Sequence, residues 1–231
     1  MNKATCCLWQ GHDLPAYSQC KYTPQYVANL AHGLGHDIEL VCYSQHLPSE
    51  YQDVAEWRPF KHEHKGGWSR RLEVFAPENR PGPGERHVMF DLDTIIVGDC
   101  RWLWEWSTNP IGCPRDPYFL NEVCSTVISY DEQGAEALWD AYQAGEMHDL
   151  RYARGRYSEM ALIRHLYRSQ PGLVGTLETE PLKLLSYKVH VKGEIPWHEA
   201  SLVYFHGNPK PHDLPEKHAL KRIWSANQHQ A

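Results

Sequence analysis

Apolar positions fall into short runs separated by turn residues, and their spacing changes along the chain. Residues 3–9, Lys-Ala-Thr-Cys-Cys-Leu-Trp, make a run short enough for a buried strand and open into a loop from Gln10 to Gln19. Thr23 and Pro24 follow as helix cap and first helical position. Tyr26, Val27, Leu30, Ala31 and Leu34 then recur at helical spacing, and Gly33 and Gly35 supply the stop. Ile38 to Tyr43 reads as a second strand. Strand, helix, strand at this spacing begins a βαβ-type sheet. In open sheets of that kind ligands lie beyond the carboxyl ends of the strands, so the loop that begins at Trp9 is a candidate ligand wall.

Glu50 to Gly67 is irregular, and His62-Glu63-His64 lacks the spacing of a His-Glu-x-x-His metal motif, so it is taken as a solvated loop. A helical pattern returns from Trp68 to Phe75 with Arg70 and Arg71, and Pro77 to Gly84 is a loop. His87 to Val97 is an apolar strand interrupted by Asp91 and Asp93. Trp102, Trp104 and Trp106 alternate like one face of a strand, or pack under a loop. Val123 to Tyr130 is a further strand. Asp131 caps a helix with Ala135, Leu138, Trp139 and Tyr142 on one face, ended by Gly145. Another helix runs from Ser158 to Tyr167, with Met160, Ile163, Leu166 and Tyr167 inward and Pro171-Gly172 as the stop. Leu184 to Val191 and Ser201 to His206 complete the strands. Glu216 to Trp224 is a short amphipathic helix with Lys217, Lys221 and Arg222 on a solvated face. The pattern predicts one α/β domain over residues 1–231, with 213–231 as a C-terminal helical tail, around a mixed, mostly parallel sheet flanked by helices.

Composition narrows this little. The 231 residues, 42% apolar and 23% charged, are ordinary for a globular domain. A net charge of −6 argues against a broadly basic nucleic-acid-binding surface. Seven cysteines with no Cys-x-x-Cys point to reduced thiols rather than a disulfide framework. No stretch is long and apolar enough to span a bilayer, and the first apolar run is too short for a signal peptide core, so a cytoplasmic protein is expected.

Two stretches carry chemistry. In an extended strand Asp91 and Asp93 would point the same way. Two acids in core-like sequence belong where the strand leaves the sheet, sharing a hard divalent cation or meeting a helix cap or an arginine. Near the end, Val203-Tyr204-Phe205 runs into His206-Gly207-Asn208-Pro209-Lys210-Pro211. An imidazole can complete a carboxylate-bound divalent site, glycine lets backbone approach a phosphate, and lysine supplies a mobile positive charge.

Together, Phe90-Asp91-Leu92-Asp93 and His206-Gly207-x-x-Lys210-Pro211 resemble nucleotide-sugar glycosyltransferases of the GT-A fold, in particular family 8-like enzymes and the small versions found in bacteriophage and bacteria. Gly66 to Phe75 looks like the helix that brings a basic residue to the donor, Ser125 to Tyr130 is similar to a central strand on the acceptor side, and Ser186-Tyr187-Lys188 also fits. The resemblance implies a Rossmann-like GT-A domain that moves a sugar from a nucleotide diphosphate, UDP-linked, to an acceptor hydroxyl with retention. It implies Mn²⁺, or Mg²⁺, held by Asp91, Asp93 and His206. Lys210 would contact the diphosphate, with Gly207 beside it, and Arg71, or else Arg70, the donor sugar or phosphate. Trp9 joins the donor-binding set. Asp93, Lys210, Arg71 and Glu159 would form the catalytic group.

Two positions depart from the family pattern. Cys124 stands where relatives carry asparagine, and the stretch from Arg154 to Glu159 is basic where they carry an acid–glutamine pair, which leaves Glu159 as the substitute. The acceptor is either a glycan or a hydroxymethylated base in phage DNA. Arg151, Arg154, Arg156, Arg164 and Arg168 supply a local basic face for the second, which would require base flipping. The alternatives are a nucleotide-sugar-binding protein without transfer activity and a metal-dependent nucleotidyltransferase. The second would need a glycine-rich phosphate loop that Trp9 to Tyr17 does not provide.

Overall fold

The computed structural model describes residues 2–9, 22–64, 67–145, 158–179 and 181–226. The loop from Gln10 to Gln19 and the arginines at 151, 154 and 156 lie outside these residues. The elements are β1 (Asn2–Leu8), α1 (Pro24–Leu34), β2 (Ile38–Ser44), β3 (Glu56–Pro59), β4 (His87–Phe90), β5 (Thr94–Ile96), α2 (Trp102–Glu105), β6 (Ile111–Cys113), β7 (Val127–Tyr130), α3 (Glu132–Gln143), α4 (Glu159–Ser169), β8 (Val174–Thr176), β9 (Leu184–Ser186), β10 (Leu202–Tyr204) and α5 (Ala219–Ala226).

Seven strands form the main sheet in the order β3-β2-β1-β4-β7-β6-β8. All of its neighbouring pairs are parallel except those of β7, which runs against both β4 and β6. This is the mixed, mostly parallel α/β sheet expected. A second sheet, β5-β10-β9, stands apart from it.

Period-2 alternation sorts the strand residues into two apolar layers. Ala4, Cys6 and Leu8 of β1, Leu40 and Cys42 of β2, and Val88 and Phe90 of β4 face α1, α5 and the second sheet. Cys7, Val41, Tyr43 and Met89 face the opposite way, against residues 67–75, α3 and α4. Helix starts follow from local chemistry. Thr23 is extended before Pro24 at the start of α1, Asp131 accepts from the Gly134 N–H, and Ser158 accepts from the Ala161 N–H.

Several expectations are corrected. The apolar stretch from 87 to 97 is not one strand, because the chain turns at Asp91–Asp93 and passes from β4 in the main sheet to β5 in the second. Residues 67–75 wind as a 3₁₀ helix. The Glu50–Gly67 region contains the edge strand β3, and His62-Glu63-His64 is not simply solvated. The His64 side chain is 1% exposed and bonds the buried Glu73 carboxylate at 2.9 Å, and His62 reaches the same carboxylate at 3.2 Å.

Trp102 and Trp104 sit on the short helix α2, where their indole N–H groups donate to Ser201 Oγ and the Lys3 carbonyl. Only residues 184–186 of the expected 184–191 strand are extended, and Tyr187–Val191 coils into a wide helical turn. Lys221 is buried, and its ammonium donates to the His212 carbonyl and lies over the Trp224 ring. The last helix is thereby packed into the first layer through Leu220 and Trp224. Among the described residues no helix is long and apolar enough to cross a membrane, and Cys6, Cys7, Cys42, Cys100, Cys113 and Cys124 are free thiols.

Candidate active site

β1 and β4 run parallel, so Trp9 and Asp91 leave the sheet at the same edge. The Asp91 N–H donates to the Thr126 carbonyl at 2.8 Å, and Thr94 N–H then donates back to the Asp91 carbonyl at 3.2 Å. That turn sends the two carboxylates to different partners.

Asp91 faces Arg71, whose Nη2 lies 2.9 Å from its Oδ1. Arg71 is buried, and both of its Nη atoms are engaged. It also bonds the Glu159 carboxylate, and it donates to the Ser125 carbonyl at 2.5 Å and to Ser125 Oγ at 3.4 Å. Ser125 Oγ closes the group by donating to Glu159 Oε1 at 2.8 Å. Glu159 Oε2 is buried without a hydrogen-bond partner. The Arg71 guanidinium loses hydration by burial, but Asp91 and Glu159 more than offset this and hold its pKa above the ordinary value. Asp91 keeps 31% of its side chain exposed. Even so, the surrounding protein desolvates it, and with Asp93 and Glu159 nearby its pKa is pushed up to about 7 in spite of Arg71.

Asp93 is buried and turned to the second half of the site. Its Oδ2 accepts from the Lys210 ammonium and from the Tyr22 hydroxyl, the latter at 2.9 Å. Lys210 is buried too, so it is a fixed charge rather than the mobile one expected. Its backbone N–H donates to Asp213 Oδ2 at 2.9 Å, and its ammonium lies 5.5 Å from the Tyr22 ring centre. Burial, and then Asp93, raise the Tyr22 pKa well above the usual phenol value, so Tyr22 remains a donor.

His206 leaves β10 with its Nε2 buried and unpartnered. Burial, and then the Lys188 charge, lower its pKa, which favours the neutral imidazole. Gly207 takes φ +64°, a conformation that suits glycine, and a Cβ there would lie 3.0 Å from the Lys188 ammonium. Trp9 Nε1 and Arg70 Nη1 are also buried without hydrogen-bond partners.

Asp91, Arg71 and Glu159 therefore form one linked group and Asp93 and Lys210 a second. The two halves are in electrostatic contact, since Asp93 and Lys210 both act on Asp91 and Asp93 acts on His206. In kind, two carboxylates and a neutral imidazole with a vacant nitrogen fit a hard or borderline divalent cation. Among the described residues no three His, Cys, Asp or Glu side chains are gathered into a preformed metal centre. Sequence reasoning missed Tyr22, and it quoted Lys188 in the resemblance without giving it a place at the site. Tyr22 precedes a helix cap and nothing in its neighbours marks it, and Lys188 lay in a stretch taken for strand.

No family model and no curated protein matches the chain by sequence. Its fold has solved counterparts. It superposes over its whole length on 60% of the glycosyltransferase GlyE of Streptococcus pneumoniae TIGR4, with a TM-score of 0.69 at 11% identity. The galactosyltransferase LgtC, solved with donor and acceptor sugar analogues, matches 98% of this chain over 95% of its own, with a TM-score of 0.61 at 9% identity. The chain has a GT-A fold. The bifunctional glycosyltransferase WbbM shares it over 50% of its own length and all of this chain, with a TM-score of 0.67 at 10% identity. The chain thus spans 60% of GlyE, half of WbbM and nearly all of LgtC.

Proposed function

We propose that the chain is a glycosyltransferase that takes its sugar from a nucleotide diphosphate, UDP-linked, in the presence of Mn²⁺ or Mg²⁺. The observation that carries this reading is the split site at the β4–β5 turn of a GT-A fold. It sets two carboxylates, an unpartnered imidazole nitrogen and a buried ammonium at the edge where strands open to ligand. Asp91, Asp93 and His206 would hold the cation. When bound, the cation would act as a Lewis acid that neutralises charge on the departing diphosphate.

In the transfer the acceptor oxygen bonds the anomeric carbon as the sugar–phosphate bond breaks. The electron pair leaves with the diphosphate, and so does the hydroxyl proton. Lys210 contributes a pre-placed positive charge where that negative charge develops, in a site of low water content where it acts strongly. Both Nη atoms of Arg71 are taken up by Asp91, Glu159 and Ser125. Its role is to hold Asp91 and Glu159 in place, and the vacant Nη1 of Arg70 takes the donor contact. Glu159 Oε2 supplies a lone pair to the donor-sugar side. Retention of configuration follows from the family resemblance.

A thermal-shift panel of nucleotides and nucleotide sugars, each with and without Mn²⁺, tests the proposal. A ligand at a hundredfold excess over its dissociation constant should add about 2.7 kcal/mol to the native state. The shift with UDP or one UDP-sugar should require Mn²⁺ and vanish in Asp93→Ala and His206→Ala. No shift with any nucleotide would sink the assignment.

A further inference from the structure

Large apolar side chains that remain exposed are few, and three of the six among the described residues are consecutive: Tyr118, Phe119 and Leu120, at 57%, 57% and 65% exposure. Such a tip costs hydration and contributes little to folding, so a contiguous patch of this kind marks a binding surface. The loop is not loose. Asp116 Oδ1 accepts from the N–H groups of Tyr118 and Phe119 at 2.8 and 2.9 Å. The Asp116 N–H donates to the Glu122 carbonyl, and the Glu122 N–H to the Phe119 carbonyl, both at 2.8 Å. Arg115 bonds the Leu120 carbonyl, and Arg164 anchors the base through Asp116 and the Val123 carbonyl. The tip is therefore held in place before any ligand arrives, which removes the ordering cost of binding.

Position and charge say what it meets. The Tyr118 ring packs edge-on against His206, with centroids 5.1 Å apart, so the patch is continuous with the donor centre. The described arginines around it are paired with carboxylates: Arg115 with Glu178, Arg164 with Asp116 and Arg168 with Glu122. The two described arginines of the expected basic face are thus spent on carboxylates, and neither offers a polyanion a free positive charge. A flat, uncharged aromatic edge suits the C–H face of a saccharide ring.

We infer that the Tyr118–Phe119–Leu120 loop is the acceptor platform and that the acceptor is a neutral saccharide, stacked on Tyr118 and Phe119 with a hydroxyl directed toward the centre beside His206. This rests on the glycosyltransferase reading for its chemistry, although saccharide binding can be measured without it. Saturation-transfer NMR with the methyl β-glycosides of glucose, galactose and N-acetylglucosamine reads the platform directly. At least one should receive saturation at its ring protons, and Phe119→Ala and Tyr118→Ala should each raise its half-saturation concentration at least tenfold. Retained far-ultraviolet circular dichroism and melting temperature control for folding.

Absence of ring-proton saturation in the wild type, or equal binding by both variants, overturns the inference. So does Phe119-dependent binding of a hydroxymethylcytosine-containing duplex or of phosphatidylglycerol vesicles in place of the saccharides. The UDP–Mn²⁺ thermal shift of the same preparation separates the two claims. Its absence alongside variant-sensitive saccharide binding overturns the donor chemistry and leaves the platform.

Discussion

Arg71 is a buried guanidinium set between Asp91 and Glu159, and each of the three needs the others. Removing one partner from a buried ionic group leaves uncompensated charge, which typically costs about 3–5 kcal/mol. Arg71→Ala should therefore lower the melting temperature sharply, and Arg71→Lys should rescue little, because an ammonium does not match the forked geometry. Arg70→Ala should leave stability within about 1 kcal/mol and weaken nucleotide-sugar binding instead. Paired measurements of melting temperature and donor affinity check this, and the reverse pattern would exchange the two roles. The sequence presents the two arginines as equivalent neighbours, and no local property of either shows which one is enclosed.

His87 offers a pH test away from the site. It is buried at the start of β4 with Nδ1 unpartnered, and burial, then the Lys3 charge, push its pKa down to about 4. The folded state therefore holds the neutral ring, whereas the unfolded chain binds a proton near pH 6.5. The stability that depends on its neutrality is complete above about pH 6.5 and is lost as the pH falls toward 4, by up to about 3 kcal/mol. His87→Asn should flatten the melting temperature against pH in that window. An unchanged slope would assign the acid sensitivity to other groups.

At the scale of elements, local signals translated well where one or two residues decide the conformation. Pro24 after Thr23, Asp131 and Ser158 start helices because a side-chain oxygen or a ring-fixed φ acts on the adjacent turn. The short elements did not translate. β3 and β8 have four and three residues, too few for alternation to stand out. The run from 184 to 191 looks extended by composition, yet a Ser186 hydroxyl that accepts from the Val189 N–H begins a turn there.

The junction between β5 and β10 depends on a close approach. The N–H groups of Val97 and Gly98 both donate to the Ser201 carbonyl, and a Cβ on Gly98 would lie 2.5 Å from the Ala200 carbonyl oxygen. Gly98→Ala should force the strands apart at a cost of about 1–3 kcal/mol. Chemical denaturation measures it, and a neutral result would mean that the junction yields freely.

Across the whole molecule, the site is assembled from distant segments. Lys210 reaches Asp93 over 117 residues and Arg71 reaches Glu159 over 88. These contacts exist because β4 lies in the main sheet, β5 pairs with β10, and the chain after β10 returns to the β4–β5 turn. Lys210→Ala removes a charge-assisted partner of Asp93 and of the diphosphate proposed to bind there. It should weaken UDP binding by about tenfold or more, as expected for about 1.5–3 kcal/mol. Titration calorimetry with UDP in Mn²⁺ would show it, and unchanged affinity would place the diphosphate elsewhere.

By itself the sequence determined the α/β class, most helix starts, the apolar run that becomes β4, and the two stretches on which the functional proposal rests. Those features depend on periodicity and on side chains acting within a few residues. Tertiary structure decided that the Asp-x-Asp is a turn between two sheets, that its acids face different cations, that Arg71 is internal, and that His64 and Lys221 are buried. It also set the exposed Tyr118 loop beside His206. Sheet order and the return path of the chain fix these pairings, and both depend on the summed packing of distant surfaces, which no local pattern encodes.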